Sequence, residues 1–126
     1  MNRPIRVLLD ASAIVAFTRG SIDVGETIAE VNDEHAAAGL PILCLVEATR
    51  VVADTDRLDL LVAHTATAVI TPRPDDWRAL AATYETVGRL DAASAVLAAI
   101  DVDCLVLTGQ PRLYAGLAGG GPIIAI

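Results

Sequence analysis

Ile5-Arg6-Val7-Leu8-Leu9-Asp10-Ala11-Ser12-Ala13-Ile14-Val15-Ala16-Phe17 is the stretch on which the fold turns. Ile5 to Leu9 is mostly branched and aliphatic, with no polar alternation. That predicts a central strand of a parallel sheet, covered on both faces. A charge is costly inside such a sheet, so Asp10 marks where the chain leaves it. In open α/β folds this carboxyl edge is also where ligands bind. Asp10 is therefore the first candidate site residue, and the question becomes which other acids reach the same edge.

Working outward, Ala11 to Thr18 reads as a helix broken by Arg19-Gly20-Ser21. Asp23 to Ala38 reads as a second helix, with Ile28, Val31 and Ala38 on one side and Glu26, Glu30 and Glu34 on the other. Gly39 is its expected stop. Pro41 to Cys44 reads as a short strand, Val46 to Ala53 as a helix, and Asp56 to Ala63 as another after Asp54-Thr55. Thr67 to Thr71 is rich in strand formers. Pro74 opens a helix that runs to Val87, with acids in its first turn and Gly88 at its end. An Ala-rich helix (Asp91 to Ile100), a buried strand (Cys104 to Thr108), a short helix (Pro111 to Leu117) and a last strand (Ile123 to Ile126) follow. This alternation predicts an α/β fold: a three-layer α/β/α sandwich with a mostly parallel central sheet, in one domain over residues 1–126.

Hydrophobic residues make up 54% of the 126 positions but aromatics only 3%, and the mean hydropathy is +0.54. The expected core is aliphatic, and the surplus apolar surface is expected to face another subunit or a partner protein. No run approaches the roughly 18 apolar residues of a membrane span, and the start does not read as a signal peptide, so no membrane association and a cytoplasmic location are expected. A net charge of −7 argues against general electrostatic attraction to nucleic acid. All nine basic residues are Arg, which excludes any mechanism that needs a lysine. Cys44 and Cys104 lie in apolar runs and read as buried free thiols, too few for a zinc site. His35 and His64 read as surface residues.

Each further candidate has two readings. Glu47, the one charge between Leu40 and Ala48, either pairs with Arg50 three residues on, worth a few tenths of a kcal/mol, or reaches the sheet edge. Asp91 either caps its helix or is held near the sheet, since Ala92, Ala93, Ala95, Ala98 and Ala99 allow close approach. Thr108 and Gln110 either end a strand in a turn or order a water or ligand oxygen. Ser12 either caps the next helix, which the sequence favours, or bonds Asp10.

Leu9-Asp10-Ala11-Ser12 after the first strand, Val46-Glu47-Ala48 in an early helix, Asp91-Ala92 opening an Ala-rich helix and Val106-Leu107-Thr108 at a late strand form a pattern. With the Leu-Tyr segment and short strand that follow, the chain resembles the PIN domain over nearly its whole length. Within that family it resembles the short toxin ribonucleases of bacterial VapBC-type toxin–antitoxin pairs. The resemblance implies an endoribonuclease dependent on Mg2+ or Mn2+ that hydrolyses RNA to leave 5′-phosphates, a homodimer, and a cognate antitoxin. Four acids usually gather around the metal in that family. Carried over, Asp10, Glu47 and Asp91 fall on three of those positions, with Ser12 and Thr108 in support. The fourth acid normally follows the late-strand Thr by two residues, and here that position is Gln110. Asp101 and Asp103 do not replace it, because Asp103 precedes the strand and stands about 15 Å from its far end.

Three carboxylates in one place demand a counter-charge. Two of them about 4 Å apart repel by about 1 kcal/mol in water and about 4 kcal/mol at an effective dielectric of 20. Mg2+ takes oxygen ligands and suits such a cluster. Arg50, Arg57, Arg73, Arg78, Arg89 and Arg112 are candidates for phosphate contacts. Two other readings remain open. A phosphoaspartyl enzyme also begins with an Asp after its first strand, but it wants a second Asp where this chain has Ser12, and typically a Lys. A PIN-fold protein with weakened or lost catalysis, acting through protein or RNA binding, is favoured by Gln110.

Overall fold

A computed structural model describes residues 3–126. Five strands, β1 (Ile5–Leu9), β2 (Ala37–Pro41), β3 (Thr67–Ile70), β4 (Leu105–Thr108) and β5 (Ile123–Ala125), form one sheet in the order β3-β2-β1-β4-β5. Every pairing is parallel. The helices are α1 (Ala11–Thr18), α2 (Ile22–Asp33), α3 (Ile42–Thr49), α4 (Thr55–Ala63), α5 (Trp77–Val87) and α6 (Leu90–Val102). Helix α1 packs with α2 and α4 on one side; α6, backed by α5, covers β1, β2 and β4 on the other. This is the three-layer α/β/α sandwich expected from the alternation of elements. No helix among the described residues is long and apolar enough to cross a membrane.

The central strand is as apolar inside as its sequence. Val7, Leu8 and Leu9 are buried, and they pair with Leu105, Val106 and Leu107 of β4. Ala92, Ala93, Ala95 and Ala99 of α6 are likewise buried. Small side chains let that helix lie close against the sheet, as expected.

The segment between α2 and α3 differs from the sequence reading. The helix expected to reach Ala38 ends at Asp33, and Ala37–Pro41 is strand β2. Chain reversal falls on His35, a left-handed residue with φ 54°. Ala36 N–H then donates to Val31 O at 2.8 Å, closing the helix end. Gly39 is therefore not a helix stop but a buried strand residue. A Cβ there would stand 2.7 Å from Leu8 Cδ1, so the neighbouring strand's leucine fills the space a side chain would need. The expected strand at Pro41 to Cys44 and helix at Val46 to Ala53 are replaced by α3, which starts at Ile42 and ends at Thr49. Toward the C-terminus, the expected Pro111 to Leu117 helix is a tighter 3-10 turn over Pro111–Tyr114.

The strand order places β1 between chain-adjacent β2 and the later β4. Connections leave β1 and β4 in opposite senses, which opens a crevice at their carboxyl ends. Helix α3 contacts both α1 and α6 across this end of the sheet. It thereby brings Glu47 to the crevice.

Candidate functional site

Asp10 follows β1 directly and caps α1, accepting a hydrogen bond from Ala13 N–H at 3.0 Å. Ser12 Oγ donates to the same oxygen, Oδ1, at 2.6 Å. Ser12 thus supports Asp10 and does not cap the helix, contrary to the sequence preference; Asp10 itself is the cap. Tyr114 OH donates to Oδ2 at 2.6 Å. A carboxylate has about four lone-pair sites, so three donors leave Asp10 one open direction, on Oδ2. The residue is 2% exposed. Burial, then the charge of Asp10 and the hydrogen bond to it, push the Tyr114 phenol well above its ordinary range. Tyr114 therefore stays a donor.

Nothing in the sequence marks Tyr114 beyond its place in a Leu-Tyr segment. Its ring is completely buried in a chain with two tyrosines, and the hydroxyl has a charged partner. Tyr114→Phe is expected to destabilise the fold by about 1.5–3 kcal/mol, the usual worth of a hydrogen bond to a charged group. Urea unfolding measures it; an unchanged midpoint would show that Asp10 does not depend on this donor.

Ser12 Oγ also accepts from Gly109 N–H at 2.8 Å and lies 3.3 Å from Thr108 Oγ1. Thr108 Oγ1 accepts from Gln110 N–H at 2.9 Å. The ends of β1 and β4 are thus tied together through two hydroxyls. Thr108 is buried, whereas Gln110 is exposed and lines the rim of the crevice.

Asp91 is the second residue of α6, not its cap; Arg89 holds the cap position with extended backbone. Arg89 Nε donates to Asp91 Oδ1 at 3.1 Å and Nη2 to Oδ2 at 2.9 Å, a fork on both oxygens. The same Nη2 lies 3.9 Å from Glu47 Oε2. Arg50 Nη1 is 3.4 Å from both Glu47 oxygens, so the expected i,i+3 pair forms while Glu47 also faces the crevice. The hydrogen bonds to Asp91 raise the Arg89 pKa above its ordinary value, partial desolvation opposes this, and the charges of Asp91, Glu47 and Asp10 reinforce it. All three acids act on one guanidinium.

Behind Asp91, Cys44 Sγ and Ser94 Oγ both donate to its backbone carbonyl, at 3.3 and 2.6 Å. Burial, then the charges of Asp91 and Asp10, push the Cys44 thiol far up, so it remains a thiol. Cys44 sits in α3 as a buried free cysteine; Cys104 is only half-buried, with burial and then Asp103 raising its pKa to about 11.

The crevice is a cleft of about 1000 Å3 lined by Asp10, Ser12, Glu47, Asp91 and Gln110 together with Arg19, Arg50 and Arg89. Arg19 was read from the sequence only as part of a helix break. The other four arginine candidates do not line this cleft. Arg57 pairs with Asp54, Arg73 with Asp76, and Arg78 stacks on Trp77, while Arg112 sits on the 3-10 turn.

The acids offer only oxygen donors, the chemistry a hard cation such as Mg2+ takes. In that respect the residues fit. Yet no group of three or more His, Cys, Asp or Glu side chains is drawn together closely enough to hold an ion among the described residues. No buried side-chain oxygen or nitrogen among them lacks a partner either. In this arrangement the counter-charge to the acids is arginine.

No protein-family model matches the chain, and no curated protein does. Among solved structures, PAE2754 from Pyrobaculum aerophilum is similar at 17% identity, with a TM-score of 0.66 over 94% of this chain and 83% of that one. At that identity the likeness concerns the fold, and it agrees with the parallel α/β/α architecture described above.

Proposed function

We propose that the cleft is the active site of a metal-dependent endoribonuclease, a hydrolase acting on RNA phosphodiester bonds. What carries the reading is that Asp10, Glu47 and Asp91, far apart in sequence, line one cleft, where Arg89 reaches two of them. Glu47 and Asp91 each have an arginine partner, but Asp10 is a buried carboxylate held by Ser12, Ala13 and Tyr114 with no ion pair among the described residues, which packing alone does not require. The sequence resemblance to PIN-domain toxins supports the reaction class and, with it, a cognate antitoxin, a homodimer and a cytoplasmic setting.

In this proposal Asp10 offers its open Oδ2 direction, and Asp91 and Glu47 supply further oxygens for Mg2+ or Mn2+. When bound, such an ion stabilises charge growing on the phosphodiester and lowers the pKa of a water. The chain's own part is to hold those oxygens. Tyr114, Ser12 and the Ala13 N–H fix the Asp10 carboxylate, and Thr108 fixes Ser12. Arg19 and Arg50 at the cleft supply positive charge for phosphates, which offsets the acidity of the whole molecule locally. Water adds across a P–O bond, leaving a 5′-phosphate on one product and a hydroxyl on the other. Incubating purified protein with RNA and Mg2+ or Mn2+, beside an Asp10→Asn variant, tests this.

A second reading has specific support. Gln110 stands where the resemblance calls for a fourth acid, and both Asp91 oxygens are already held by Arg89. These favour a PIN-like protein of weakened catalysis that acts through binding. The two meet in one experiment. Gln110 keeps an oxygen but removes a charge, so one Mg2+ is expected to bind, held mainly by Asp10 and Asp91, with a second weakened. Gln110→Asp is expected to raise affinity or add a second equivalent in a calorimetric titration. Identical affinity and stoichiometry in both proteins would refute the one-metal account.

A further inference from the structure

We infer that Arg89 is the resident counter-ion of the three-acid cleft, and that a divalent cation binds there only by displacing its guanidinium from Asp91. The inference rests on the metal-dependent reading of the site. It starts from an occupancy argument. The Nε and Nη2 donors of Arg89 take one lone pair on each Asp91 oxygen, and the same group reaches to 3.9 Å from Glu47. One planar cation thus spans two of the three acids. A divalent ion held by Asp91 would need the oxygens that Arg89 already engages, and two positive centres so close repel.

Displacement is open to this residue. Arg89 lies at the cap of α6 with extended backbone, outside the helix, so no turn locks its side chain. That side chain is 39% exposed. Glu47 keeps Arg50 as partner when Arg89 departs. Asp91 has no second basic partner among the described residues, so the carboxylate vacated by Arg89 is the one left for the incoming ion. The fork geometry matters, because a lysine would bind Asp91 as a single point charge and yield more easily.

The test measures Mn2+ affinity by calorimetry for the wild type, Arg89→Gln and Arg89→Lys, with circular dichroism to establish folding. Arg89→Gln is expected to bind Mn2+ about tenfold more tightly, consistent with losing a charged hydrogen-bonded competitor, and Arg89→Lys to fall between. In the wild type, saturating Mg2+ is expected to shift the Arg89 Nε–H resonance in a nitrogen-15 spectrum. If the wild type binds Mn2+ and Arg89→Gln binds it no better, or if the resonance stays in place at saturation, the counter-ion role is overturned while the metal site survives. If neither the wild type nor either folded variant binds Mn2+, the metal-dependent reading fails and this inference fails with it.

Discussion

Asp10→Asn is expected to lower metal-dependent RNA cleavage by about 10²-fold or more, the scale seen when a group that stabilises developing charge is removed. The substitution keeps the shape and removes the anion. It also disturbs the donors around it. An amide can still accept from Ser12 and Ala13, but its NH2 then faces the Tyr114 hydroxyl, which now donates to Oδ2. A loss of about 1–3 kcal/mol in unfolding free energy is expected alongside. The two readouts separate the causes. A variant still folded at assay temperature yet without cleavage assigns the loss to the site. Equal cleavage by wild type and variant would identify a contaminating nuclease and sink the proposed activity.

The largest effect on stability is expected at Gly39. A Cβ there meets Leu8 Cδ1 at 2.7 Å, Ile5 Cγ2 at 3.3 Å and Ile70 Cδ1 at 3.4 Å. Gly39→Val adds two further methyls in a strand whose neighbours on both sides are paired. Overpacking of this kind costs about 1–3 kcal/mol and sometimes more. We expect about 3 kcal/mol, a large share of the stability of an ordinary domain. Urea unfolding checks it, and a midpoint within error of the wild type would mean that Leu8 moves aside without penalty.

Gly39 also shows where sequence reading failed and why. Ala36, Ala37 and Ala38 favour helix, and a glycine after them looks like a terminator. The chain instead turns at His35, whose type takes left-handed backbone more often than most but far less often than glycine. The sheet then imposes strand on the alanines, since Ala38 pairs with Thr67 and Val7. Local preference lost to tertiary context. By contrast, β1 and α1 were legible to the residue. A mostly aliphatic run and an Asp where it ends are strong local signals that the packing reinforces.

The site divides in the same way. Asp10, Glu47 and Asp91 were visible because a lone carboxylate at the edge of an apolar segment is conspicuous. What surrounds them was not. Arg89 stood as one of six candidate cations, and nothing local distinguishes a guanidinium that forks onto Asp91 from one that stacks on Trp77. Arg19 looked like punctuation. Ser12 was assigned to the wrong partner because Asp10 had already taken the capping role. Each of these depends on how β1 and β4 abut, which is a property of the whole sheet.

The hydroxyl that steadies Asp10 arrives 104 positions later in the chain. Translation proceeds at about 5–20 residues per second, so the first aspartate leaves the ribosome seconds before its last donor is made. Until Tyr114 emerges and docks, the aspartate lacks one of its three supports. If the cleft does cleave RNA, a nascent copy that lacks Tyr114 is an incomplete catalyst, and the fold delays the activity until that residue has been made and docked.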